Sequence, residues 1–264
     1  MSLKKDNFKL SDKKIMNFAI RMAENNKYFT KTNPSVGCVI VKKKTILSFA
    51  TTNHGGRPHA ERIALSRNKY NKGTTLYSTL EPCSHHGMTP PCTNTIIKNK
   101  VKNVYYSIED KDLRTFNKTK KILKSKNIIA KAGLQKQNVY NLYKEYNYIR
   151  SNKAPYIIGK IASSSNLIIL RNKSQITNEH SRNVSHLLRF HNHAILTSYK
   201  TINTDNPKLN CRLNGLEKFS PTVVVIDKNL KIKTNSFVIK NSKNNKLIIF
   251  HSSKNISKIK LLKN

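Results

Sequence analysis

At 264 residues the chain is long enough for two domains, each able to enclose a core. No stretch reaches the roughly 20 apolar residues of a membrane span, and four cysteines, at 38, 83, 92 and 211, are too few for a disulfide scaffold at this length. Fifty Lys and Arg against thirteen Asp and Glu give a net charge of +37, but the lysines are spread along the chain among Asn and Ile with no Arg-rich stripe. A solvated basic surface therefore explains the charge more simply than a nucleic-acid site, and it would steer phosphorylated small molecules inward.

The N-terminus, Met1-Ser2-Leu3-Lys4-Lys5-Asp6, lacks the apolar core of a signal peptide, which predicts a cytoplasmic protein. Ser11 is placed to cap a helix whose apolar face runs through Ile15, Phe18, Ala19 and Met22. After Asn33-Pro34, residues 36–41 and 45–50 read as two strands around a Lys-rich turn. Pro58 suits a first helical position, which would set His59 and Glu61 in the first turn of a helix. A strand over 74–79 and a Pro-rich loop then lead to a helix opening at Cys92. A strand over 103–108, a helix near 116–126, a short strand over 127–130 and a helix near 137–148 continue the alternation. Such alternation predicts an α/β sandwich. Residues 151–155 read as a linker between a domain over 1–150 and one over 151–264, whose strands near 156–162, 193–197, 222–227 and 246–250 surround a helix near 178–191.

His59-Ala60-Glu61, Pro82-Cys83 and Pro90-Pro91-Cys92 supply an imidazole, a carboxylate and two thiolates. Zinc catalysis on a nucleobase-like ring needs three protein ligands, an open fourth position and a nearby carboxylate that is not itself a ligand. The residues thus predict His59, Cys83 and Cys92 on the metal and Glu61 as proton carrier, with the helix start favouring the Cys92 thiolate. The alternative is a closed structural site with His54, His85 or His86 as fourth ligand; the carboxylate beside His59 argues against it. Cys38 and Cys211 read as ordinary buried cysteines. Eight residues separate the two ligand cysteines, where general zinc deaminases have two.

Asn33 to Val41, Pro58-His59-Ala60-Glu61-Arg62 and the segment Thr79 to Cys92 together resemble the bifunctional riboflavin-biosynthesis deaminase/reductase family, whose own cysteine spacing is the long one. The spacing separates the chain from cytidine and tRNA-adenosine deaminases. The resemblance implies a cytidine-deaminase-like three-layer α/β/α domain followed by a dihydrofolate-reductase-like α/β domain. It implies hydrolytic deamination of 2,5-diamino-6-ribosylamino-4(3H)-pyrimidinone 5′-phosphate, with Zn2+ on His59, Cys83 and Cys92, catalysis by Glu61, and Asn33 touching the pyrimidine.

In the second half, Lys160-Ile161-Ala162-Ser163-Ser164, Ser174-Gln175-Ile176-Thr177, Leu187-Leu188-Arg189 and Asp205-Asn206-Pro207 resemble motifs of the family's NADPH-dependent reductase. The resemblance implies that Ser163, Thr201 and Asp205 face NADPH, and that Ser174, Arg189, Leu209 and Arg212 face the substrate. Here Ser164-Ser165-Asn166-Leu167 stands where the family has S-L-D-G, the chain contains no Trp, and it stops at Asn264, before the family's closing motif. These departures predict an incomplete reductase half, with reduction lost or completed by a second copy or a separate reductase.

Overall fold

The computed structural model describes residues 9–169 and 176–263. The chain divides into two compact units, Met1–Ile158 and Gly159–Asn264.

In the first unit, α1 (Leu10–Asn25) leads to the hairpin β1 (Gly37–Lys42) and β2 (Thr45–Thr51). A 3-10 turn (His54–Gly56), α2 (Ala60–Ser66), β3 (Thr75–Leu80), α3 (Cys92–Lys98), β4 (Asn103–Ile108), α4 (Thr119–Lys124), β5 (Ile129–Ala132) and α5 (Lys144–Asn152) follow. The strands order β2-β1-β3-β4-β5, with β1 antiparallel to both neighbours and β3, β4 and β5 parallel.

Helices cover both faces of this sheet. Successive strand residues point to opposite sides, and in β2 the Ser48 hydroxyl donates to the Ala64 carbonyl of α2 at 2.7 Å while the next side chain, Phe49, meets Phe18 of α1 edge to face. In β3, Tyr77 donates to Asp12 of α1 at 2.6 Å and Ser78 donates to Glu61 of α2 at 3.3 Å. The core between the layers is built from Met16, Ala19 and Ile20 of α1, the wholly buried run Cys38-Val39-Ile40 of β1, and Leu76 of β3.

The second unit carries α6 (Glu179–His191), β6 (Ala194–Ser198), α7 (Tyr199–Asp205), β7 (Thr222–Ile226), α8 (Phe237–Lys240), β8 (Leu247–Phe250) and α9 (Ile256–Lys263). Its strands order β6-β7-β8, all parallel. Val223 and Val225 pack against Ile202, Ile232 and Val238 to form its core.

Four sequence expectations are displaced. Ser11 lies inside α1, whose N-cap is Lys9, and Asp12 accepts from the Lys9 N–H at 3.1 Å in its place. His59 is itself the N-cap of α2, so Pro58 precedes the helix, and Glu61 is its second residue. The helix expected near 137–148 forms over Lys144–Asn152, taking in the first residues of the expected linker. Residues 156–162 form no strand: Ile157 and Ile161 are 82 % and 79 % exposed, and no described strand edge pairs with them. A β-branched run has strand propensity, but a ladder needs a partner.

Candidate metal centre and cleft

Three chain segments meet at the carboxyl end of β3. The turn before α2 delivers His59, the loop after β3 delivers Cys83, and α3 opens on Cys92. Loop and helix are tied together, since the Cys92 N–H donates to Cys83 Sγ at 3.2 Å and the Thr93 N–H to the Cys83 carbonyl at 3.2 Å. The His59 Nδ1 lies 3.5 Å from Cys83 Sγ and 3.4 Å from Cys92 Sγ, and the three ligand atoms fall within 4.8 Å of one another. With Zn–S and Zn–N bonds of ordinary length, a tetrahedral ion holds nitrogen and sulfur about 3.6 Å apart. Both nitrogen–sulfur distances match that spacing, so the trio suits zinc.

Glu61 stands beside the trio and outside it. Its Oε2 accepts from the Cys92 thiol at 3.5 Å and its Oε1 from the Ser78 hydroxyl at 3.3 Å. It is 3 % exposed, and burial raises its carboxyl above the usual range, opposed by the His59 charge. A carboxyl so placed exchanges protons nearer neutrality than a free glutamate.

The two thiols diverge. The Cys83 thiol is pulled down by hydrogen bonding to Cys92 and then to His59, whereas the Cys92 thiol is pushed up by that same bond to Cys83 and by burial. The expected benefit to Cys92 from the start of α3 is thus outweighed by its bond to Cys83 and by burial, with the Glu61 carboxylate adding to both. A divalent cation reverses that balance by holding both sulfurs as thiolates.

None of the three histidines that the alternative of a closed site would use joins the trio. His85 turns its Nδ1 to Thr115 Oγ1 at 2.9 Å, His54 stacks on Phe29, and His86 belongs to no group of metal-ligating side chains among the described residues.

His59, Cys83 and Glu61 line a cleft that Asn33 also lines. The Asn33 amide nitrogen donates to the Gly56 carbonyl at 3.2 Å, so that its side chain is held by the turn preceding α2. Gly56 has φ of 90°, and a Cβ there would fall 2.3 Å from Asn33 Nδ2, so the close approach requires glycine.

The opposite wall had no signature in the sequence. Glu81 gathers the backbone N–H groups of Asp110, Asn117 and Thr119, at 3.2, 3.3 and 3.2 Å, and so shapes the loop after β4. That loop carries Asp112, which Arg114 grips with two side-chain bonds at 2.9 and 2.6 Å and which Arg150 approaches at 3.6 Å. Tyr146, one turn before Arg150 on α5, donates to Asp110 at 2.9 Å. Only Glu81 sits in a recognisable motif, next to Pro82-Cys83; the others come from distant segments with no diagnostic spacing.

In the second unit Arg189 and Arg212 come together, donating to the carbonyl and the side-chain oxygen of Asn210 at 3.0 and 2.9 Å. Leu209 is buried beside them in sequence with φ of 54°. Thr201 bonds its N–H to Ser198 at 3.4 Å, Asp205 closes α7, and Ser163 lies in the coil before α6. The apolar cavity of this unit, lined by Leu230, Ile249, Ile259 and Leu262 among others, contains none of them. Ser174 lies outside the described residues.

Residues 9–108 match the family model of the cytidine and deoxycytidylate deaminase zinc-binding region, and residues 155–263 that of the RibD C-terminal domain. Riboflavin biosynthesis protein RibD of Aquifex aeolicus is 34 % identical over 232 residues, covering 86 % of this chain and 65 % of that protein. The RibD of Actinobacillus pleuropneumoniae is 30 % identical over 254 residues, covering 95 % and 67 %. The chain thus spans about two thirds of the length of these relatives, and 58 % of the Escherichia coli one. Among solved structures, Acinetobacter baumannii RibD superposes with a TM-score of 0.86 at 29 % identity, over 95 % of this chain and 72 % of that one. The Thermotoga maritima diaminohydroxyphosphoribosylaminopyrimidine deaminase/5-amino-6-(5-phosphoribosylamino)uracil reductase superposes with a TM-score of 0.81 at 29 % identity, over 93 % and 71 %. A cytidine-deaminase-like α/β domain with a zinc-binding region, followed by a RibD C-terminal domain, places this chain in the RibD family of riboflavin biosynthesis.

Proposed function

We propose that residues 1–150 catalyse the hydrolytic deamination of 2,5-diamino-6-ribosylamino-4(3H)-pyrimidinone 5′-phosphate, with His59, Cys83 and Cys92 as zinc ligands and Glu61 as the catalytic proton carrier. The observation that carries the reading is Glu61: a buried carboxyl with a raised pKa, 3.5 Å from one ligand sulfur and not part of the ligand trio. The substrate class is supported by the name of the Thermotoga maritima relative.

His59, Cys83 and Cys92 would hold the zinc, which would make a water acidic enough to act near neutrality. Glu61 takes up the proton that water gives up and delivers it to the adjacent ring nitrogen. It then carries the proton of the hydroxyl added at the ring carbon to the amino group as the carbon–nitrogen bond breaks, so that a carbonyl forms, one water is consumed and one ammonia leaves. Asn33, pinned to Gly56, presents its side-chain oxygen to the ring edge and fixes the pyrimidine in plane. Glu61 is buried, which shields the proton relay from bulk water.

For residues 151–264 we propose a scaffold that does not complete reduction by itself, the NADPH-dependent step falling to a separate reductase or to a partner chain. Ser164-Ser165-Asn166-Leu167 in place of the family's S-L-D-G, and Ser174-Gln175-Ile176-Thr177 without the family's Trp, support this reading. The decisive experiment is product analysis with the diaminopyrimidine phosphate in the presence and absence of NADPH. Ammonia release without NADPH oxidation is expected. Activity surviving Glu61→Gln within tenfold of the wild-type rate would overturn the mechanism, whose proton relay is worth about 10²- to 10⁴-fold. Steady NADPH oxidation by the deaminated product would overturn the scaffold reading.

A further inference from the structure

Three arginines line the cleft, and they are not equivalent. Arg114 and Arg150 both have a carboxylate partner, Asp112, at 2.6 and 3.6 Å. Arg57 has no carboxylate partner among the described residues; its Nη1 donates to the Thr89 hydroxyl at 3.1 Å. Its second terminal nitrogen, Nη2, lies 3.6 Å from the point where a Cβ on Gly87 would stand, and His85 Nε2 lies 3.9 Å from that same point. Each side chain is steadied through its other nitrogen, Arg57 through Thr89 and His85 through Thr115 at 2.9 Å. Two nitrogens thus converge on a space kept open by a residue without a side chain. In a chain with fifty Lys and Arg, the loop that borders this space, Ser84 to Pro91, contains neither. The cation there comes from the turn before α2.

We infer that Arg57 and His85, across Gly87, form a clamp for the phosphate of the substrate, with Arg57 the residue that makes the deaminase select the phosphorylated pyrimidine. The inference rests on the deaminase reading of the same cleft. A phosphate is the matching ligand because a guanidinium with a free nitrogen edge, beside an imidazole nitrogen, offers charge and directed donors to tetrahedral oxygens. The ring would lie at Glu61 and the trio, and its ribosylamino phosphate at the rim. Arg57 is a specificity-determining residue in this scheme and takes no part in the proton relay.

The test compares the phosphorylated pyrimidine with the same compound bearing an unphosphorylated ribosylamino group, using the full metal-loaded chain as wild type, Arg57→Gln, Arg57→Lys and Gly87→Ala. Gly87 has no positive φ, and an added methyl meets only ordinary contacts, so Gly87→Ala fills the space without straining the fold. Arg57→Gln and Gly87→Ala are expected to raise KM for the phosphorylated substrate about ten- to hundredfold, the loss of a charge-assisted contact, with kcat within about twofold. KM for the unphosphorylated compound should not change, and Arg57→Lys should recover part of the loss. Equal KM changes for both compounds, or none for either, would overturn the clamp while leaving the deaminase reading in place.

A second readout is independent of turnover: titration with inorganic phosphate should shift the Gly87 amide resonance in the wild-type chain and not in Arg57→Gln. Should the wild type deaminate neither compound, the deaminase reading fails alone if that shift is seen, and the clamp fails with it if the resonance does not move.

Discussion

Gly37 opens β1 directly beneath α1, and replacing it with alanine gives a test whose size follows from the packing. A methyl group there would lie 2.0 Å from the Ala19 carbonyl oxygen and 2.8 Å from the Ala19 carbonyl carbon. Both are backbone atoms, so no rotamer change relieves the overlap; α1 must withdraw by more than about 1 Å to restore van der Waals distance. The withdrawal would loosen Met16, Ala19, Ile20 and Ala23, which α1 buries in the core. It would also stretch the bond from the Ser35 hydroxyl to the Ala23 carbonyl, 2.8 Å long, just two residues beyond Asn33. Overpacking of well-filled cores costs about 1–3 kcal/mol, and a clash with backbone belongs at or above the upper end. At about 3 kcal/mol the first unit should melt roughly 6–12 °C lower. Differential scanning calorimetry with zinc bound measures this, and deamination kinetics should show a weakened KM through Asn33. A melting temperature within 2 °C of wild type would refute the close packing of α1 on β1.

Two further outcomes follow from buried polar contacts. Tyr143 is 1 % exposed and donates to the Ser35 carbonyl at 2.9 Å while meeting Thr79 Oγ1 at 2.6 Å; Tyr143→Phe removes both bonds, leaving Thr79 its bond from the Gly37 N–H at 3.0 Å, and should cost about 1–3 kcal/mol, read as a lower urea midpoint with unchanged m-value. Asp112 is held well below the usual carboxylate range, first by the Arg114 side chain, so its contribution is present above an unfolded pKa of about 3.9 and is lost as pH falls below it. Asp112→Asn should therefore melt below wild type at pH 7, and the gap should narrow progressively as pH falls below about 4; a gap that stays constant between pH 7 and pH 2 would contradict the assignment.

The chemistry was legible from the sequence because it resides in local patterns. His59 and Glu61 are two positions apart, Cys83 and Cys92 share one loop, and proline and helix-start signals bracket them, so the ligand types and the adjacent carboxylate could be named before any fold was known. The strands of both sheets were legible for a similar reason, since buried runs such as Val39-Ile40-Val41 and Val223-Val224-Val225 leave little alternative.

Tertiary structure decided the rest. Whether the apolar run at 156–162 becomes a strand depends on a partner edge, which propensity does not contain. The wall of the cleft is assembled from Glu81, the loop carrying Asp110 and Asp112, and α5 some forty residues later, a juxtaposition set by the order β3-β4-β5 and by backbone N–H groups seeking Glu81. Arg57 illustrates the limit most directly. In the sequence it is one of fifty basic residues, and only the fold separates it from the others, by pairing Arg114 and Arg150 with Asp112 and leaving Arg57 with a hydroxyl beside the open space at Gly87. The amino-acid sequence lists the charges; packing determines which of them have a carboxylate partner and which do not.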